Sequence, residues 1–402
     1  VLVFERMREE LNAGKSLATA VDLGYEKAFS AVFDGNLTTL ICALILMYFG
    51  SGPVKGFAVS LSIGIVSSMF TALCLTRLIF DYALKYGHWK TLKMCRFFKN
   101  PHFDFLGRRK WAFLGSGLLI LASLIVLEYK GTKMLGVDFT GGTRISYTYS
   151  EQVPVAELEK LLQPIDPNVR ISYKSNPSAR DNRKLEILIR DRSGTAESGA
   201  FSLNDRVTKL LNEKFPALKA ADGQETTVGG LVGAETGKAS VLAILLALLG
   251  MCIYISIRFE LSFAVAGMLA LLHDVIIAIG LYVAMGRELS LPVVAAVLTV
   301  IGYSINDTIV IFDRIREDSR LMPEKSFREI INIAINSTLS RTILTSVTTF
   351  LVVVVMFCFG GIVINDFVLV MMLGIVIGTY SSIFIASPLA AMWHRRIGAA
   401  KQ

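Results

Sequence analysis

Two charged residues stand where charge is expensive. Asp307 lies in Gly302-Tyr303-Ser304-Ile305-Asn306-Asp307-Thr308, within an apolar stretch whose next charges are Asp313 and Arg314. Arg341 lies in Ser337-Thr338-Leu339-Ser340-Arg341-Thr342, where the following apolar stretch begins. An ionisable side chain inside a bilayer costs at least about 2.5–3.5 kcal/mol, so it marks a functional candidate by default. A carboxylate beside an arginine stays ionised. Protonating it breaks the pair and frees the guanidinium to reorient, which is the chemistry of a proton-driven switch, with Asn306 as a supporting neighbour. The bland readings are a static ion pair or an arginine that snorkels to the interface. His273 and Asp274 sit mid-way along another apolar stretch. Adjacent helical residues point about 100° apart, so the two are expected to face different partners, one of them capping a polar network. Asp34 lies nearer a helix end and is expected either to support the relay or to sit solvated at the interface.

These residues need spanning helices to hold them. The 402 residues are 53% apolar and only 18% charged, with a mean hydropathy of +0.55. Such a chain is neither a soluble globular domain, a disordered chain, a collagen nor a small disulfide scaffold. A span needs about 20 mainly apolar residues. Eight stretches qualify: 36–50 (31–54 if Asp34 is admitted), 56–76, 111–127, 239–257, 261–285, 289–312, 342–365 and 367–393. Val1 to Phe4 read as the tail of a ninth helix, which would make the sequence a fragment.

The net charge of +8 is explained by position. Arg6, Arg8, Lys15 and Lys27, the basic linker 85–110, Arg314 to Arg328, and Arg395 and Arg396 all fall on one side of the alternating spans, whereas the opposite short loops hold only Lys55 and Arg287. The basic side is expected to be cytoplasmic. The linker's aromatics, Trp89, Phe97, Phe98, Phe103 and Phe105, suit a segment lying on anionic lipid better than a nucleic-acid surface. The long polar insert 130–238 is then expected on the outer side of the cytoplasmic (inner) membrane. All five cysteines lie outside it, so no structural disulfide is expected.

The insert alternates by period. A strand at Gly142–Tyr149, a helix through Val155, Leu158, Leu161 and Leu162, extended runs at Val169–Tyr173 and Leu185–Ile189, a helix from Leu203 to Phe215 and a strand near Thr226–Leu231 give β-α-β-β-α-β. That order is the ferredoxin-like pattern. The domains expected are thus 1–84 (end of one membrane half), 85–110 (basic linker), 111–129 (helix), 130–238 (α+β domain), 239–394 (five-helix bundle) and 395–402 (tail). Asn365 and Asp366 are expected in a short outer loop.

The chain is also duplicated. Residues 1–10 match 309–318 with four identities and six conservative changes, an offset of 308. At an offset of 310 the match continues through Thr38-Thr39 with Thr348-Thr349, Phe49-Gly50 with Phe359-Gly360, and Gly64-Ile65-Val66 with Gly374-Ile375-Val376. Repeats of this kind are typical of transporters whose sites lie between halves that move against each other. Arg341 falls opposite Ala31 and Asp34 opposite Leu344, so the repeated scaffold does not itself require the arginine.

Enzyme signatures are missing from the sequence. Phe139-Thr140-Gly141-Gly142-Thr143 lacks the Gly-Lys-Ser/Thr ending of a phosphate loop and reads as a turn. There is no His-Glu-x-x-His, Cys-x-x-Cys or Gly-x-Ser-x-Gly, and His88, His102, His273 and His394 are dispersed. No enzyme activity, cofactor or metal is implied.

Several motifs carry a family resemblance. Residues 1–10 with Phe33-Asp34-Gly35-Asn36-Leu37-Thr38-Thr39-Leu40 resemble the end of SecD. Gly136-Val137-Asp138-Phe139-Thr140-Gly141-Gly142-Thr143, Leu272-His273-Asp274-Val275 and the run from Tyr303 to Glu317 resemble SecF. The chain is thus similar to fused members of the SecD/SecF export family, within the resistance-nodulation-division superfamily of proton-driven exporters, over all but the linker near 85–105. The resemblance implies that Asp307 and Arg341 are the family's essential membrane aspartate and arginine, and that its other essential aspartate would precede Val1. Val228-Gly229-Gly230 departs from the family, which usually has proline after the first glycine. The expected function is an accessory subunit of the Sec translocon, and of membrane insertase components, that uses the proton-motive force to promote preprotein export. Its partners would be translocon, preprotein, protons and lipid, without nucleic acid. Two alternatives stay open: a small-molecule or lipid exporter of the same superfamily, needing a deep apolar pocket in its outer domain, and a non-transporting scaffold.

Overall fold

The computed structural model describes residues 1–50, 52–87, 101–167, 169–175, 183–189, 203–216, 218, 221–361 and 364–400. Among these, eight helical stretches are long and apolar enough to cross a membrane, the number the sequence predicts.

The chain begins with α1 (Leu2–Asn12) and turns at Gly14 into α2 (Leu17–Phe49). α2 starts well before the uncharged run does. Ser16 caps it by accepting from the Thr19 amide at 3.3 Å, and its first turns pack Val21, Tyr25 and Ala28 on Val3 and Met7 of α1. Burial, not membrane, supports that part of the helix. α3 (Gly52–Phe70) and α4 (Thr76–Lys85) form one span, joined through a π-helical turn at Thr71–Leu75. α5 (Arg109–Lys130) leads to the α+β domain, which holds α6 (Val137–Thr140), β1 (Gly142–Thr148), α7 (Val155–Leu162), β2 (Arg170–Ser175), β3 (Arg183–Ile189), α8 (Leu203–Lys214) and β4 (Ala221–Val228). The bundle resumes with α9 (Gly230–Arg258), α10 (Leu261–Ala284), α11 (Leu291–Leu321), α12 (Phe327–Phe359), α13 (Asn365–Ser381) and α14 (Ser387–Ala400). A second π-helical turn, Ser382–Ala386, joins the last two.

The duplication reappears in that detail. The Thr76 hydroxyl donates to the Thr71 carbonyl at 2.9 Å, and the Ser387 hydroxyl to the Ser382 carbonyl at 2.8 Å. Each satisfies a carbonyl five residues back, at places of the two copies that lie within one residue of the repeat register. α11 is the central helix, with 83% of its apolar window buried against 11% for the span 54–85 and for α5.

The sheet is antiparallel, ordered β2-β3-β1-β4, which is the ferredoxin-like arrangement. Ile145, Tyr147, Leu185 and Ile187 face Leu158 and Leu162 of α7 and Val207 and Leu211 of α8 in a closed core. The last strand corrects the sequence reading: it begins at Ala221 and stops before Gly229, because Leu231 already belongs to α9. Residues 137–140 form one helical turn where a plain turn is expected. Gly141 follows at φ 71°, and a Cβ there would lie 2.4 Å from the Gly230 Cα, so two backbones meet where no side chain fits.

The domain is tied to the bundle through its root. The Gly136 amide donates to the Leu289 carbonyl at 2.8 Å, and the Leu289 amide to the Met134 carbonyl at 2.7 Å. Arg170 of β2 reaches Glu288 at 3.3 Å. Asn365 and Asp366 are not in a loop: they open α13, buried, and Asp366 meets Arg287 at 3.1 Å. Linker residues 88–100, including Cys95 and most of its aromatics, lie outside the described residues. Its end docks by Phe105, which packs on Phe384 at 5.5 Å while the Phe105 amide donates to Asn332.

Candidate functional site

Helix α11 carries Asp307 with its carboxyl turned toward α12. The Ser346 hydroxyl donates to Asp307 Oδ2 at 3.3 Å, and Thr379 of α13 donates to Ser346 at 2.7 Å. Arg341 is buried one helix away on α12, and its charge acts on Asp307. The two make no direct ion pair, since no nitrogen–oxygen separation between them falls within 4.0 Å. The Arg341 Nε has no hydrogen-bond partner. Carboxyl and guanidinium are therefore not joined, and the carboxyl has its hydroxyl donor in Ser346.

His273 and Asp274 do not face away from each other. His273 Nδ1 lies 2.8 Å from Asp274 Oδ1, while Asp274 Oδ2 accepts from Ser304 at 2.5 Å and from Ser381 at 2.7 Å. The backbone does splay the two Cβ atoms, but both side chains fold back into the gap between α10, α11 and α13. Asp274 is thus the centre of a polar network. Ser304 sits one helical turn before Asp307, and Ser381 two residues after Thr379, so the two carboxyls share one polar seam along α11 and α13. The hydroxyls Ser304, Ser346, Thr379 and Ser381 were not singled out from sequence. Their one signal was an excess of Ser and Thr inside apolar helices, which packing alone also explains.

Asp34 is no solvated interfacial carboxylate. It is buried, accepts from Arg258 Nε at 2.7 Å and from the Tyr254 hydroxyl at 2.8 Å, and Arg258 also bonds Ser30. The ion partner comes from α9, which no local pattern in α2 reveals. Asn306 stands apart from Asp307: its amide oxygen lies where a Cβ on Gly35 of α2 would be, 1.9 Å from that point. Thr39 returns the contact, its hydroxyl donating to the Gly302 carbonyl at 3.3 Å. Gly35 and Thr39 thus oppose Asn306 and Gly302 where α2 crosses α11 antiparallel.

Below Arg341 lies a cavity of about 30 Å³, room for about one water. Its walls are repeat-related residues facing each other: Leu2 and Val310, Glu5 and Asp313, Arg6 and Arg314, and Ala31 and Arg341. Arg341 therefore projects to the place where the two copies of the duplication meet. Its twin, Ala31, lines the same cavity with a far smaller side chain.

A duplicated helix bundle with buried acids on its central helix, and a ferredoxin-like domain inserted after the first span of the second copy, defines a polytopic membrane protein. The chain belongs to the SecD/SecF C-terminal family of protein export membrane proteins, whose profile matches residues 1–83 and 207–396. A SecDF protein translocase subunit of Thermus thermophilus is 36% identical, the match covering 98% of this chain and 52% of the relative. A SecF subunit of Rhodothermus marinus is 37% identical over 76% of this chain and 98% of its own length. The crystal structure of SecDF from Thermus thermophilus, described as a translocon-associated membrane protein, superposes with a TM-score of 0.86 at 34% identity, covering 98% of this chain and 52% of that one. A hedgehog release protein, Disp, from a water bear shares the fold, with a TM-score of 0.59 at 13% identity over 97% of this chain and 61% of its own. This chain spans about half the length of the SecDF relatives it matches.

Proposed function

We propose that this chain works in a SecDF-type accessory subunit of the protein translocase, in a cytoplasmic membrane, where inward proton flow promotes preprotein export. Asp307 takes up and releases the proton. Arg341 senses that change, and Ser346, Thr379 and the Asp274–His273 network support proton movement through the seam. The α+β domain stands on the outer side, and the Sec translocon and the exported preprotein are the partners.

One observation carries this reading: a buried acid and a buried arginine on neighbouring helices form no ion pair, and the arginine lines the junction between the duplicated halves. A static structural pair would close to hydrogen-bonding distance, because an unmatched buried charge is costly. An unpaired arginine on the dividing surface is instead free to answer a change of charge on Asp307 by moving between the halves. A proton crossing a membrane potential supplies about 2.3 kcal/mol per 100 mV, enough to bias a two-state movement more than tenfold. The small-molecule exporter needs an open apolar pocket in the α+β domain. Among the described residues that domain has a filled core.

The test uses inverted membrane vesicles carrying the full-length protein and a preprotein stalled by ATP removal. Completion of export is followed with the proton gradient imposed or collapsed. Wild type should finish export only with the gradient, and Asp307→Asn should not finish at equal abundance. Equal behaviour of the two would make Asp307 structural and favour a scaffold.

A further inference from the structure

A wide crevice lies against the open edge of the sheet, outside the helix bundle. Among the described residues β2 has β3 as its neighbour on one side and no strand on the other, so alternate residues of β2 turn N–H and C=O groups outward. Val169, Arg170, Ile171, Ser172 and Tyr173 all line a crevice of about 690 Å³. Side chains of consecutive strand residues point to opposite faces. A wall that includes all of them is therefore the strand's edge.

Helix α7 borders the crevice with Glu159 and Gln163, and the bundle closes it from the other side with Lys133 and the turn at Met285–Glu288. Its volume falls in the range of ligand sites, about 300–1,000 Å³. Charges of both signs, among them Lys130 and Arg144 against Glu159 and Glu186, are mixed along it. Such a lining selects neither anions nor cations. What it presents continuously is main-chain hydrogen bonding over a strand of about 20 Å.

One end is shut. Arg170 donates to the carbonyls of Thr132, Lys133 and Leu135 and pairs with Glu288, which pins the start of β2 to the bundle. The wall is also pre-formed, because the Tyr173 hydroxyl donates to the Val153 carbonyl at 2.8 Å and accepts from the Val153 amide at 3.0 Å. A rigid edge binds with little ordering cost.

We propose that the edge of β2 from Ile171 to Ser175 receives an extended segment of the exported polypeptide as an added strand. This deepens, and rests on, the export reading above. Recognition through the main chain accepts almost any sequence, which is what a carrier of diverse unfolded chains requires. A pocket for particular side chains would not serve.

The test uses the full-length protein in nanodiscs and a fluorescein-labelled, proline-free octapeptide of mixed charge. A second peptide has the same side chains but is N-methylated at alternate residues, which removes the outward donors of an added strand. The unmethylated peptide should bind at least tenfold more tightly. A photoreactive benzoylphenylalanine placed at the exposed Ser172 should cross-link to it, whereas one at Glu213, exposed on α8, should not. Equal affinities, no binding of either peptide, or cross-linking from position 213 but not 172 would each overturn the proposal. The export assay separates the two ideas. Gradient-driven export that depends on Asp307, together with equal peptide affinities, removes the β2 site alone. Export indifferent to the gradient, with selective peptide binding, removes the proton reading alone.

Discussion

Arg6 bonds Glu317 at 2.6 Å, although 311 residues separate them. The reciprocal pair, Arg314 with Glu9, stands at 3.7 Å, and both residues of each pair have their repeat counterpart in the other pair. Within each helix the same residues also meet, Arg6 with Glu9 at 2.9 Å and Arg314 with Glu317 at 3.1 Å. Four charges thus form a closed ring across the junction of the duplicated halves, beside the cavity that Arg341 enters.

Glu317 accepts from both arginines at short range, whereas Glu9 is the most exposed of the four, at 43%. Glu317→Gln should therefore destabilise by about 1 kcal/mol and Glu9→Gln by less than about 0.5 kcal/mol. A double-mutant cycle of Arg6→Ala and Glu317→Gln, read by thermal unfolding in detergent, should return a coupling close to the Glu317 value. Additive effects would show that the ring holds nothing together.

The α2–α11 crossing depends on Gly35. Gly35→Ala places a methyl on the Asn306 amide and should cost about 1–3 kcal/mol, as overpacking does. Asn306→Ala in the same chain should recover most of that loss by vacating the space. If the double variant is as unstable as the sum of the two, the clash lies elsewhere.

Outside the spans, burial holds the Glu288 carboxyl above its ordinary 4.5, with Arg170 and Arg144 acting in the opposite direction. The folded protein then binds this proton more tightly than the unfolded chain, so the group makes stability fall as pH rises from 4.5 through its raised value. Glu288→Gln, neutral throughout, should match wild type at the acid end and melt at the same or a higher temperature at neutral pH. A variant that loses stability only at neutral pH would show the Arg170 pair outweighing the burial cost.

Asp274 relies on donors from three helices. Ser381→Ala should cost about 1–3 kcal/mol, because it leaves a buried oxygen one partner short. Ser387→Ala, a hydroxyl that only bonds its own helix, should cost less. Similar losses for the two would mean that Asp274 does not organise the seam, and comparative melting of the purified variants decides it.

Much of this was legible in the residues. Apolar run length sets the number of spans because the hydrocarbon core has one thickness. The alternation at Gly142–Tyr149 and Leu185–Ile189, with helical spacing between, specified the succession of strands and helices, since those periods follow from backbone geometry. The repeat was visible by self-comparison, and Asp307 and Arg341 stood out because charge is rare in apolar runs. The extent of α2 was not legible, since its first turns are stabilised by α1 and Phe80 rather than by their own pattern.

Pairing was decided by the fold alone. Asp34 with Arg258, Asp366 with Arg287 and Arg6 with Glu317 join residues 224, 79 and 311 positions apart, and no local period encodes such a distance. The separation of Asp307 from Arg341 and the placing of Ala31 opposite that arginine likewise emerge only when helices from both copies pack around α11. Which segments are helix, strand and span, and which charges lie inside, follow from local periodicity and transfer energy, both properties of the residue order. Which buried charge meets which partner was settled by tertiary structure, because side-chain contact depends on how helices cross.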